Sequence, residues 1–318
     1  MLTRHRRPPI VAFLITLMLF GFSIALSQSE TQKPDQRPMV RLNVLVSDGQ
    51  SRQIRDLLKE DLIIKDEGEL QNITYLALEE NPISYGILID TSNSLRPFSQ
   101  VETGIAQTII NTNNAGDRTF VMKFSGRKDI QIAQDWTDDK ILLRNASGGF
   151  RGNGETAITD AMYLAADHIE KQMQSDNNAR RRYAVILISD GDDTEGAVSE
   201  SKLVSRLRDL DIQIFIVCLL NRSQNQGSTP EFPFGKTFVN HLTKTTGGLA
   251  FYATTINEVQ SACNNLISFM RRQYVVGYYP TKLLGAGKYH RVTAQLTGRT
   301  HKKDSQVSVR TGYDEPAN

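Results

Sequence analysis

The chain has 318 residues, is 39% hydrophobic and 23% charged, and carries a formal net charge of +2. This ordinary globular composition excludes collagen, coiled coil and wholesale disorder, and leaves room for one large domain plus a smaller one. Lysine and arginine are scattered without a stripe or interleaved aromatics, so no nucleic-acid partner is expected.

Residues 1–27 are a different material. Arg4, Arg6 and Arg7 precede an apolar run from Ile10 to Leu26, and Ala25-Leu26-Ser27 places small residues where a signal peptidase reads. This is the pattern of a secretory signal peptide, which implies export to a periplasm or out of the cell. The alternative is an uncleaved inner-membrane anchor over residues 10–26, short for a spanning helix. Only then is a membrane association expected. Cleavage removes three positive charges and no negative ones, so +2 becomes −1. Residues 28–38 are polar with two prolines and read as a flexible leader.

From Met39, Val40, Leu42, Val44 and Val46 alternate in strand fashion up to a turn at Asp48-Gly49. Leu62 to Lys65 and Ile73 to Leu78 follow, so residues 39–80 read as a few strands of a small β unit. Ile83 to Ile89 is then a nearly continuous apolar run ending at Asp90, which suits a strand covered on both faces. Further strands are expected at Thr119–Phe124, Ile130–Trp136, Tyr183–Ile188, Ile212–Leu219 and Gly248–Ala253. Helical patterns lie at about 99–112, 157–174, 198–209, 237–245 and 256–272. Strand alternating with helix predicts an α/β fold with a doubly wound, mostly parallel sheet. The link from Phe124 to Ile130 is hairpin-sized, so one strand should run antiparallel.

After Arg272 the texture returns to β, at Tyr274–Tyr279, His290–Leu296 and Gln306–Arg310. Neither flanking β piece is long enough to bury a core alone. Residues 39–80 and 273–313 are therefore expected to pair into one small β domain, with the α/β domain, 82–272, inserted between them. The two cysteines, Cys218 in a strand and Cys263 in a helix, read as buried small hydrophobes rather than a disulfide framework.

Open α/β sheets bind ligands at the carboxyl ends of their strands. There the sequence places Asp90-Thr91-Ser92-Asn93-Ser94 after the first apolar strand and Ser189-Asp190-Gly191-Asp192-Asp193 after the Tyr183 strand. Gly152-Asn153-Gly154-Glu155-Thr156 stands before a helix. Carboxylates and hydroxyls without sulfur or imidazole suit a hard divalent ion: Mg²⁺ first, with Mn²⁺ or Ca²⁺ as alternatives. Hydroxyls bring no charge, so an outside carboxylate is a strong final ligand. That points to a protein partner presenting Asp or Glu.

Asp90-x-Ser92-x-Ser94 at a strand end, a threonine about sixty residues on, and Ser-Asp-Gly after another apolar strand resemble the metal-ion-dependent adhesion site of von Willebrand factor A domains. The resemblance covers about residues 82–272. The flanks, including Tyr274 to Pro280, resemble the exported bacterial VWFA-related proteins. It implies that Asp90, Ser92 and Ser94 ligate the ion directly or through water, that Thr156 does so when the site is occupied, and that Asp190 does so directly or through water. Glu155 departs from the paired glycines common in relatives and is expected to face solvent or to tune the site. Asp192 and Asp193 are expected on the rim. Phe232 and Phe234 sit in the polar segment 221–235, which lies on the metal face as a partner loop or a tolerated insertion.

The expected function is an exported, non-enzymatic binding module. A structural component stapled by its ion is the first alternative. A Mg²⁺-dependent phosphohydrolase is the second, but it needs an acid two residues after its nucleophile, where this chain has Ser92.

Overall fold

The structure, a computed structural model, describes residues 37–149, 152, 154–176, 181–220, 233–297 and 304–316; of Pro233 and Phe234 only the backbone is described. The expected signal peptide and all but the last two leader residues lie outside these. Among the described residues, no helix is long and apolar enough to cross a membrane.

Four strands lead in: β1 (Val40–Ser47), β2 (Leu62–Asp66), β3 (Glu69–Leu70) and β4 (Ile73–Glu79). The central region runs β5 (Ile83–Asp90), α1 (Ser99–Asn111), β6 (Arg118–Phe124), β7 (Gln131–Thr137), α2 (Lys140–Ser147), α3 (Ile158–Ser175), β8 (Arg182–Ser189), α4 (Glu200–Asp209), β9 (Ile212–Leu219), α5 (Pro233–Thr246), β10 (Leu249–Ala253) and α6 (Ile256–Arg271). Four strands close the chain: β11 (Gln273–Tyr278), β12 (Tyr289–Leu296), β13 (Gln306–Val309) and β14 (Gly312–Asp314).

The central sheet has the order β10-β9-β8-β5-β6-β7. All its neighbours pair in parallel except β6 and β7, the expected hairpin. Every residue of β5 and of β9 is buried, because helices cover both faces. Side-chain alternation divides the core in two. Ile83, Tyr85, Ile87 and Ile89 pack with Ile105 and Ile109 of α1 and Leu266 and Phe269 of α6. Leu88, Phe120, Val185 and Leu187 pack with Ile158, Met162 and Ile169 of α3 and Leu203 of α4. Each such aliphatic or aromatic side chain contributes about 1.5–3 kcal/mol of burial free energy. Cys263 belongs to the first layer and Cys218 to the second, so the sheet stands between two free, buried thiols.

The flanking strands form two antiparallel sheets, β13-β1-β11-β4 and β14-β12-β2-β3. Each mixes strands from both ends of the chain: β1 pairs with β11 and β13, and β2 with β12. Val40, Leu42, Val44 and Val46 face a third core with Tyr274, Val276 and Tyr278, while Leu45 on the opposite face of β1 joins the central core. Alternation along a single strand thus ties the β sheets to the α/β region. In the third core Asp66 is buried and accepts from Tyr278 Oη (2.9 Å) and Tyr313 Oη (2.7 Å). Buried His290 lies between Asp66 Oδ1 (2.8 Å) and Glu315 Oε2 (3.0 Å).

Candidate metal centre

Strand order reverses direction around β5, whose neighbours are β6 on one side and β8 on the other. The crevice outside the carboxyl ends of β5 and β8 is the switch point of the sheet. Asp90 ends β5 and Ser189 ends β8 with Asp190 directly after it, so the fold brings two of the three motif segments to one place.

Asp90 is wholly buried. Its Oδ1 accepts the Ser92 amide (3.0 Å) and its Oδ2 accepts the Ser189 hydroxyl (2.7 Å). Burial first, and then the charge of Asp190, pushes its carboxyl up to about 7 against those hydrogen bonds. No basic side chain is among the groups that shift it. Ser92 precedes a 3-10 turn over Asn93–Phe98, yet its side chain caps no amide there. Its Oγ instead lies 3.1 Å from Ser94 Oγ. The Ser92 and Ser94 hydroxyls therefore face each other beside the carboxylate rather than serving helix ends. Pro97 sits inside the 3-10 turn, which sets α1 to begin only at Ser99.

Hydrogen bonds close the three loops into a ring. The Asn93 amide donates to the Gly154 carbonyl (3.4 Å), joining the first loop to the second. Thr194 and Glu195 amides both donate to the Thr156 carbonyl (2.9 Å each), and the Thr156 amide donates to Thr194 Oγ1 (2.9 Å), joining the second to the third. The Ser189–Asp90 bond joins the third to the first. Thr156 is buried within this ring. Gly152 has no room for a side chain: a Cβ there would stand 2.2 Å from Ser125 Oγ and 3.1 Å from Thr91 Oγ1. The second loop can lie this close to β5 and β6 only because that residue is glycine.

The donor set fits a hard cation. Two carboxylates that repel each other, buried Asp90 and half-buried Asp190, stand with the hydroxyls of buried Ser92 and exposed Ser94, and a divalent ion relieves that repulsion. Among the described residues no three His, Cys, Asp or Glu side chains converge closely enough to hold an ion by themselves. A cation held here would draw its remaining ligands from hydroxyl, backbone or water oxygens.

The rim differs from expectation in one respect. Asp193 is not a free rim carboxylate. Its Oδ1 accepts the Ile158 amide (3.0 Å) and the Gly196 amide (3.1 Å), and its Oδ2 accepts Thr159 Oγ1 (2.7 Å) and the Thr159 amide (3.3 Å). It caps the start of α3 from a distant loop, because Ala157 at the cap position has no side-chain acceptor. Asp192 lies beside Asp190, whose Oδ1 accepts its amide (3.2 Å). Glu155 is exposed. Phe232 lies outside the described residues, and Phe234 is placed only by its backbone near the start of α5.

Sequence reasoning missed Glu102. It sits in the first turn of α1, 3% exposed. The buried face of α1 is Glu102, Ile105, Ala106, Ile109 and Ile110, so an acid occupying an apolar helical position was the signal that marked it.

The family model for the von Willebrand factor type A domain matches residues 86–263. No curated protein matches the chain. Among solved structures, proximal thread matrix protein 1 from the mussel byssus is 16% identical at a TM-score of 0.49, covering 61% of this chain and 49% of its own. The chain thus spans about half the length of that protein, which has also been solved with a zinc-occupied MIDAS motif. An aerotolerance-related membrane protein from Bacteroides fragilis NCTC 9343 is 17% identical at a TM-score of 0.45, covering 58% of this chain and 98% of its own. A von Willebrand factor type A protein from Catenulispora acidiphila is 11% identical at a TM-score of 0.45, covering 90% of this chain and 76% of its own.

Proposed function

Because the chain belongs to the von Willebrand factor type A domain family, we propose that it is an exported, non-catalytic binding module that grips an acidic side chain of a protein partner through one divalent cation. Asp90, Ser92, Ser94, Thr156 and Asp190 would hold the ion. Mg²⁺ is the first choice on the all-oxygen donor set, with Mn²⁺ or Ca²⁺ as alternatives. A bound cation supplies a coordination point whose charge is only partly cancelled by the protein, so an incoming carboxylate is a favourable ligand.

One observation carries this reading. Asp90 is buried and its carboxyl is shifted upward by that burial and then by Asp190, without a basic counterion, while two serine hydroxyls 3.1 Å apart stand beside it. A structural cluster of this kind is costly unless a cation compensates it. The rest of the chain positions these groups. Ser189 orients Asp90 through Oδ2, the Ser92 amide fixes Oδ1, and the hydrogen-bonded ring holds the Thr156 loop against both. Export rests on the basic and apolar character of residues 1–27.

The test titrates Mg²⁺ and Mn²⁺ into the purified protein by calorimetry, with Asp90→Ala beside it and circular dichroism as the folding control. Retention on an immobilised glutamate-bearing peptide is then compared in Mg²⁺ and in chelator, with the glutamine peptide as control. Saturable cation binding lost in a folded Asp90→Ala, with Mg²⁺-dependent retention of the glutamate peptide only, is the expected result. Cation-dependent folding without peptide retention assigns the ion a stapling role instead.

A further inference from the structure

The charge on Glu102 has no evident owner. Its position in the first turn of α1 favours a negative charge through the helix dipole, but that supplies no hydrogen bond to Oε1, which has no partner among the described residues. Lys123 lines the same larger cavity of about 280 Å³, yet it donates to the Gly148 carbonyl (2.7 Å) and is not among the charges that act on Glu102. Those charges are Asp90 and Asp190. Burial first, then these two carboxylates, push the Glu102 carboxyl up to about 9. Leaving an acid there in an otherwise apolar helix face costs free energy that an apolar residue would avoid.

Geometry says what the acid faces. A second cavity of about 20 Å³ is lined by Glu102 together with Thr91, Ser92, Leu95, Arg96, Ser99 and Gly152; Arg96 is exposed and is not among the charges that act on Glu102. That volume holds about one water molecule. Ser92 is a proposed ion ligand, and Gly152 is the residue whose missing side chain lets the second loop close over this point. Glu102 thus shares a water-sized space with Ser92 of the ion site. Among the described residues the three acids do not form a compact cluster.

We propose that Glu102 is the third acidic group of the ion site, acting across this water-sized cavity to raise cation affinity and to favour cations of higher charge. This rests on the ion site proposed above. Residues one layer removed from a metal's ligands commonly set its affinity by 10–100-fold. The extra negative charge is felt more by a trivalent than by a divalent cation, since the interaction scales with the product of charges.

The test measures Mn²⁺ affinity by electron paramagnetic resonance and Tb³⁺ affinity by luminescence, for the full chain and for Glu102→Gln and Glu102→Leu. Thermal melts in chelator check the fold. The expected result is a wild type that binds both ions and variants that bind Mn²⁺ roughly tenfold more weakly, with a larger loss for Tb³⁺. In chelator both variants should melt at or above the wild-type temperature. Folded variants with wild-type affinity for both ions overturn the role of Glu102 while leaving the ion site standing. A wild type that binds neither ion overturns the ion site itself, and this inference with it.

Discussion

Replacing Asp90 with asparagine separates what the carboxylate does for the ion from what it does to the fold. In the chelated protein the carboxyl is raised from 3.8 to about 7 by burial and by Asp190. The folded state therefore binds its proton more tightly than the unfolded chain does. Stability falls as pH rises above the unfolded value near 3.8, and the full cost is reached above about 7. At 1.36 kcal/mol per unit, that cost is about 4 kcal/mol. Asparagine keeps an acceptor for the Ser92 amide and lacks the charge. Urea unfolding of both proteins in chelator, from pH 5 to pH 8, should show Asp90→Asn the more stable, by a margin that widens by about 2–3 kcal/mol across that range. Millimolar Mg²⁺ should then stabilise the wild type by mass action and leave the variant unmoved. Two curves that run parallel between pH 5 and pH 8 would refute the reasoning, because the buried charge would then cost nothing.

Two further outcomes test other parts of the structure. Glutamine at His290 breaks a buried link to Asp66 and Glu315. Burial alone lowers the imidazole pKa, but the bonds to Glu315 and Asp66 outweigh it and hold the folded value above 6.5. The contribution is fully present below the unfolded value and fades as pH rises through the raised folded one. A loss of about 3 kcal/mol at pH 6 that shrinks toward alkaline pH is expected by chemical denaturation. Alanine at Asp193 removes the acceptor for the start of α3 and should cost about 1–2 kcal/mol in the same assay. Its Mn²⁺ affinity should match the wild type, because that carboxylate is committed to α3 and not to the rim.

The long strands of the central sheet were legible because their apolar runs have one explanation: burial on both faces. Asp90 and Asp190 were legible as strand-end acids once those runs were placed. Shorter elements escaped. Helix α2 spans only Lys140–Ser147, two turns whose start depends on the Asp139 side chain accepting the Ile141 and Leu142 amides. Strands β3 and β14 have two and three residues, too few to show a period. Helix α5 begins at Pro233, earlier than expected, in keeping with the tolerance of proline at a first helical position. The roles of Asp193 and Glu102 depend on contacts across the fold. Asp193 reads as a rim acid until α3 is seen to need an acceptor, and Glu102, though its place on the apolar face of α1 hints at burial, shows what it faces only once α1 is docked. The pairing of β1 with β11, from opposite ends of the chain, has no local signature either.

The most direct measurement is anomalous scattering from crystals grown with Mn²⁺. One strong peak, coordinated by Asp90, Ser92 and Ser94 and flanked by Thr156 and Asp190, is the expected result. A peak elsewhere on the molecule, or none at a Mn²⁺ concentration that saturates the protein in solution, would contradict the account.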